Sequence, residues 1–339
     1  MKLRLRRSLA VLVALAAALV VALVAGTAFG AVTIAPGDVV SAIRHALLGR
    51  PLVPAEALVV ELRLPRVVLA ALVGMCLAAA GVLYQALFRN PLADPYILGV
   101  SSGAGLGAAL AFVVGGSGVL ALVAPPTAAF VLALATIVAV AGLATRRGVM
   151  QTLSLLLAGV AVSYTLAALT SFVLVLQRQQ LSKVVFWMMG GLQGATWPQC
   201  AVVGAMLLVG LAVPLSRTRE LDIMLLGDER AGELGVDVER TKRLVLASAS
   251  LMVSAAVSVS GLIGFVGLMT PHAVRLVLGP DHRLLIPASV IGGGVVMVLA
   301  DLVARVALAP VELPVGIITA LLGGPLFIWL LVRAQRDGS

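Results

Sequence analysis

The chain has 339 residues, of which 61% are hydrophobic, 12% charged and 4% aromatic, with a mean hydropathy of +1.13 and a formal net charge of +9. A soluble domain carries about a quarter charged residues, so water is excluded as the solvent of most of this surface and lipid takes its place. The basic excess does not point to nucleic acid, because no aromatic residues interleave with a basic stripe; Lys and Arg collect in this way in the cytoplasmic loops of membrane proteins.

A helix rises about 1.5 Å per residue, so about 20 apolar residues cross the hydrocarbon. Leu9–Phe29 is the first such run. The basic Met1–Arg7 before it also fits a cleaved signal peptide, but the length of the run and the spans after it favour a retained helix. Leu64–Phe88, Tyr96–Val114, Val119–Ala144, Thr152–Leu176, Trp197–Leu215, Arg243–Met269, Leu284–Arg305 and Leu313–Val332 follow. His272–Leu278 is too short for an ordinary span, yet the polar turn Gly279–Arg283 closes it; with it there are ten spans, without it nine. Ten spans and a cytoplasmic N-terminus put sixteen Lys and Arg inside and seven outside (Arg44, Arg50, Arg63, Arg66, Arg178, Lys183 and Arg305), as the positive-inside rule requires, with both termini inside. Arg66–Met75 echoes Arg243–Met252. The two copies would start on opposite faces, the mark of an inverted-repeat transporter.

Three segments stand out. Phe88–Gly107 contains Pro91 and Pro95, which stop a helix, and then Ser101, Ser102, Gly103, Gly105 and Gly107. Small residues let backbones approach closely and also keep a pathway wide. Asp94 either caps the next helix or meets substrate. Ser216–Arg243 is the longest charged stretch and also holds Leu221, Ile223, Met224, Leu225, Leu226, Leu234 and Val236. Short amphipathic helices docking a partner account for that mixture; a loop lying on the membrane surface is the other reading. Arg63, Arg66 and Arg305 flank spans on the outer side, suited either to carboxylate partners or to interface anchoring. Asp301 and Arg305 are four apart on one helix and can pair.

The chain has no GxxxxGK[ST] and only three lysines, Lys2, Lys183 and Lys242, so no P-loop phosphate site is encoded here. His45, His272 and His282 are isolated, with His272 read as a helix-start residue after Pro271, and Cys76 and Cys200 lack metal-site spacing. No metal or catalytic site is expected. An ion-coupled secondary transporter would need intramembrane carboxylates; Asp301, with Glu312 and Asp94 at the margins, is what the sequence offers.

Several blocks occur in a particular order: Arg63-Leu-Pro-Arg66, Phe88-Arg-Asn-Pro-Leu-Ala-Asp-Pro95, Leu98-Gly-Val-Ser-Ser-Gly103, Leu155-Leu-Leu-Ala-Gly159, Trp187-Met-Met-Gly190, Gly261-Leu-Ile-Gly-Phe-Val-Gly-Leu268 with Pro271-His272, Asp281-His-Arg283, Leu313-Pro-Val-Gly316 and Gly323-Gly-Pro-Leu-Phe327. With them the chain resembles the membrane permeases of type II ABC importers for iron-siderophore, haem and cobalamin, the FecCD family. Trp187-Met-Met-Gly190 and Phe327-Ile-Trp329 look closest to the cobalamin permeases. The resemblance implies an all-α polytopic fold of ten spans, one permease domain over 1–339 divisible into inverted halves 1–190 and 191–339, in the inner membrane. It implies a homodimer, two cytoplasmic ATPase subunits carrying ATP and Mg, a periplasmic or lipid-anchored substrate-binding protein, and no cofactor in this chain. It further assigns the loop 216–243 to ATPase coupling, with Asp228, Glu229, Arg230, Ala231, Glu233, Leu234 and Gly235 at its core. Arg63, Arg66 and Arg305 match positions that meet the binding protein. Thr152 and Leu153 match the cytoplasmic gate, where the cobalamin member has two small hydroxyl residues, and Ser101, Ser102 and Gly103 belong to the pathway.

Overall fold

A chain segment in lipid must satisfy its own backbone N–H and C=O groups, and helices do so. The computed structural model, which describes residues 2–30, 33–115 and 118–337, is accordingly built of helices joined by loops, and among the described residues its strands form one hairpin. In chain order the elements are α1 (Lys2–Ala28), α2 (Pro36–Leu47), α3 (Pro54–Ala57), a π-helical turn (Leu58–Arg63), α4 (Leu64–Leu87), α5 (Val100–Val114) and α6 (Val119–Ala144). After the hairpin strands β1 (Thr145–Arg146) and β2 (Val149–Met150) come α7 (Thr152–Leu176), a 3₁₀ turn (Arg178–Gln180), α8 (Leu181–Met188), α9 (Trp197–Ser216), α10 (Thr218–Met224) and α11 (Asp228–Glu233). The chain closes with α12 (Val238–Ser260), α13 (Val266–Leu278), α14 (His282–Val306) and α15 (Val315–Asp337). Among the described residues, seven helices are long and apolar enough to cross a membrane, and Val100–Val114, Val266–Leu278 and Val315–Trp329 are shorter apolar helices beside them. Met1, and the side chains of Lys2, Arg4, Arg6, Arg7, Arg333 and Arg336 on which part of the orientation argument rests, lie outside the described residues.

Two boundaries differ from the hydropathy reading. The apolar run Arg243–Met269 is not one span: α12 ends at Ser260, Gly261 turns the chain at φ +66° and Phe265 at φ +68°, and Val266–Met269 open α13. The short eighth span is thereby lengthened to Val266–Leu278, and His272, expected at a helix start, lies inside it. The run Tyr96–Val114 begins its helix only at Val100. Before it, Ile97 and Leu98 lie against Gly159 of α7, and Pro95 against Gly267 of α13. Non-helical backbone at membrane depth survives only when protein buries it, and Leu98 and Val100 are fully buried.

α4 is the central post, buried along almost its whole length and packed on α14, α12, α13 and α9. It gets close to its neighbours by omitting side chains. Gly74 meets the backbone of Gly293 on α14, and Gly81 meets the carbonyl of Gly267 on α13. That carbonyl would normally accept from the N–H four residues on, but position 271 is proline and has none. A Cβ at Gly81 would collide with it, and backbone on both sides cannot yield. Gly81→Ala should therefore cost about 1–3 kcal/mol or more and lower the unfolding temperature in detergent. Gly37→Ala, whose Cβ meets nothing within 4 Å, should not.

Candidate functional site: two short helices, an interior seam and an arginine end

The segment between α9 and α12 folds as two short helices. Gly227, at φ +108°, turns the chain between α10 and α11, and Gly235, at φ +84°, ends the second. Ala231 of α11 is fully buried, whereas Glu229, Arg230, Glu233 and Leu234 are exposed, as are Leu225 and Leu226. α10 is held to the start of α14 by Asp222, whose Oδ1 accepts from the His282 backbone N–H at 3.0 Å and meets the His282 ring Nδ1 at 2.5 Å. Burial by itself would raise the Asp222 carboxyl, but the side-chain and backbone hydrogen bonds from His282 outweigh it and hold the group below the ordinary carboxylate range.

The β1–β2 hairpin turns through Arg147 and Gly148, both at positive φ, as a tight two-residue hairpin turn requires. It leads through Gln151 into α7. Its position is set by α12. Glu239 Oε2 accepts from the Met150 N–H at 2.7 Å, Lys242 Nζ donates to the Met150 carbonyl at 3.3 Å, and Arg243 donates to the Gly148 carbonyl. Lys242 also pairs with Asp228 at 2.6 Å, and Arg89, just past α4, approaches the other Asp228 oxygen at 3.7 Å. Asp228 is thus engaged within the chain, in contrast to the exposed Glu229 and Glu233. Thr152 is half-buried and Leu153 exposed at the start of α7. Glu239, Lys242 and Arg89 were not separated from their neighbours by sequence reasoning. The signal available was a lysine in the first turns of a helix beside an apolar run, with its partners far away in the chain.

In the interior, three chain segments touch through main chain. The Gly191 N–H donates to Ser260 O at 2.8 Å and the Gly316 N–H to Gly190 O at 3.4 Å. Side chains at Gly190, Gly261 or Gly316 would strike Leu262 O, Trp187 O or Met189 O. The Tyr96 hydroxyl donates to Ile263 O at 3.0 Å and accepts from Ile263 N–H at 3.2 Å, fixing the same break from the other side. Ser101 and Ser102 are half-buried on α5. Gly103 is buried where α5 meets α6, within 2.7 Å of Leu132 O for an added Cβ. Asp94 Oδ1 accepts from the Tyr96 N–H at 2.8 Å, a local turn contact two residues along the chain; it does not cap α5, which starts at Val100 after Gly99 with no side-chain cap.

At the opposite end the three arginines do not stand on a free rim. The last carbonyls of any helix lack partners, and those of α1 find them in trans. Arg63 donates to Thr27 O and Ala28 O, both at 3.0 Å, and Arg305 to Gly26 O at 2.7 Å and Phe29 O at 3.3 Å. Asp301, fully buried, takes Arg305 Nε at 3.0 Å, four residues along its own helix, and Arg66 at 3.1 Å. Glu312 takes Arg66 at 2.8 Å. Arg63, Arg66, Arg305 and Glu312 line a cavity of about 450 Å³ with Leu58, Leu192 and Gln193. Cys76 and Cys200 are buried and unbridged.

Residues 10–333 match the FecCD transport family. The chain is 48% identical to the cobalamin import system permease protein BtuC of Halobacterium salinarum over 82% of its own length and 74% of that protein's. It is 42% identical to the hemin transport system permease protein HmuU of Yersinia pestis over 82% of its length and 84% of the other. A solved structure described as an inward-facing conformation of a metal-chelate type ABC transporter superposes with a TM-score of 0.83 at 31% identity, covering 95% of this chain and 98% of that one.

Proposed function

Because the chain belongs to the FecCD transport family, we propose that it is the membrane-spanning permease subunit of an ATP-binding cassette importer, and that its substrate is a metal chelate of the cobalamin, haem or iron-siderophore class. The observation that carries the reading furthest is the shape of residues 216–243. Ala231 anchors α11 inward, while Glu229, Arg230, Glu233, Leu234 and Leu226 face out as a mixed charged and apolar docking surface. Such a face suits a cytoplasmic ATPase subunit, and ATP with its Mg would sit on that partner.

The rest of the assembly follows the same logic. The outward faces of α7 and α15 carry Leu157, Tyr164, Phe172, Leu322 and Ile328 in the open; contiguous apolar faces of this kind in a membrane protein suit a second copy or lipid, and a homodimer would place the pathway between them. Thr152 and Leu153 then stand at the pathway's cytoplasmic end, with Ser101 and Ser102 on a neighbouring helix. A binding protein would dock at the arginine end. Since Arg63 and Arg305 are occupied by α1 and Arg66 by Asp301 and Glu312, it would meet the cavity rim, where Glu312 is the more exposed member of the Arg66 pair. Orientation with both termini in the cytoplasm of the inner membrane, and the two inverted halves 1–190 and 191–339, belong to the same proposal and rest on the charge asymmetry and the Arg66–Met75 echo.

Proteoliposomes holding this chain with its ATPase and binding protein should accumulate cobalamin, haemin or a ferric siderophore only when Mg-ATP is supplied on the ATPase side. Accumulation driven by a proton or sodium gradient with no ATPase present would overturn the reading.

A further inference from the structure

Between the exposed face of α11 and the first turn of α7 stands a buried ammonium group. Lys242 is 3% exposed, and three acceptors surround its Nζ: Asp228 Oδ2 at 2.6 Å, the Met150 carbonyl at 3.3 Å and Glu239 Oε1 at 3.6 Å. An ammonium donates and never accepts; here it makes two hydrogen bonds, to Asp228 and Met150, and has the Glu239 carboxylate beside it as a second counter-charge. The acceptors come from three different pieces of chain: the first residue of α11, the last residue of β2 and the first turn of α12.

Resting on the reading of 216–243 as the ATPase contact, we propose that Lys242, with Glu239, is the positioning element that carries displacement of α11 into the 145–150 hairpin and so to the start of α7. A two-stranded hairpin has little stability of its own, and this one has two residues in each strand. Its place is dictated from outside: both polar backbone groups of Met150 are taken by α12 side chains, the N–H by Glu239 and the carbonyl by Lys242. Thr152 is two residues further on. A buried cation stripped of one partner is costly, so α11 cannot pull Asp228 away without Lys242, or the carbonyl it also holds, following. A pin whose sole task was to fix the hairpin would need Glu239 and Met150 but not Asp228. The bond to α11 is what makes the cluster a link. Arg89, reaching Asp228 from the end of α4, ties the same joint to the central post.

The test uses the assembled transporter in proteoliposomes, with an environment-sensitive fluorophore on Arg146→Cys, an exposed hairpin position; the native cysteines are buried. With Lys242 in place the fluorophore should respond to Mg-ATP. In Lys242→Met, ATP hydrolysis should stay within twofold while the fluorophore response disappears and substrate delivered per ATP falls at least tenfold. Lys242→Arg, which keeps a cation in place, should recover part of both. Glu239→Gln should weaken the response, and it decides the matter if Lys242→Met does not assemble. The link is overturned if the variants that assemble keep the response and deliver substrate per ATP within twofold. If the fluorophore ignores ATP even with Lys242 intact, the assignment of 216–243 to the ATPase falls, and the link with it.

Discussion

Glu233→Lys is expected to leave the transporter able to hydrolyse ATP while uptake falls at least tenfold, and Glu229→Lys to do the same. Both carboxylates are exposed on α11, and neither is needed to hold the helix in place, because Ala231 and Asp228 make the inward contacts. What they offer is charge to a partner. Reversing one places like charges face to face, which costs several kcal/mol at an interface, and each 1.4 kcal/mol is about tenfold in occupancy. The fold should be untouched, so thermal stability in detergent ought to match the parent chain. Uptake and ATPase rates measured together in proteoliposomes check the result; uptake within twofold of the parent for both reversals would show that α11 is not the ATPase contact.

Arg305→Ala is expected to be the most destabilising single change among those considered, by about 3–5 kcal/mol, the cost of removing one partner of a buried ion pair. Two losses coincide. Asp301 keeps only Arg66, and α1 loses the guanidinium that satisfies Gly26 O and Phe29 O. Arg305→Lys keeps the charge but not the forked donor geometry, so it should restore about half of the loss. The midpoint of thermal unfolding in detergent reads both. If Arg305→Ala unfolded with the parent chain, the contacts between α1 and the α14 end would contribute nothing to stability.

Much of this fold was legible in hydropathy. The apolar runs place α6 at Val119–Ala144 and α7 at Thr152–Leu176, the bounds the structure has. Long apolar stretches report on lipid contact directly, and that is why they read well. Gly261 was not legible, because a turn inside protein needs no polar residues when neighbouring backbone satisfies it. Residues 91–99 were misjudged at one edge for a related reason: proline stops a helix, but nothing local says that the non-helical chain then runs on at membrane depth. The arginines at 63, 66 and 305 were visible as charges flanking spans and the Asp301–Arg305 pair by its spacing, whereas the chain-end carbonyls of α1 that Arg63 and Arg305 hold are marked by no sequence pattern. The Lys242 cluster joins positions 92 residues apart, a separation that only the fold brings together. Composition and order of motifs therefore identified the transport fold, and the contacts that tie its distant segments together became visible only in three dimensions.

The seam formed by Gly190, Gly261, Leu262 and Gly316 has a thermodynamic consequence. Side-chain packing resists separation because parting it wets apolar surface, and that wetting carries a large positive heat capacity. Here the facing groups are peptide units, so separation would expose mainly polar surface, whose heat capacity change has the opposite sign. Any motion that opens this seam to water should therefore show a nearly linear van't Hoff plot, while one that parts apolar side chains into a water-filled pathway should show a strongly curved one.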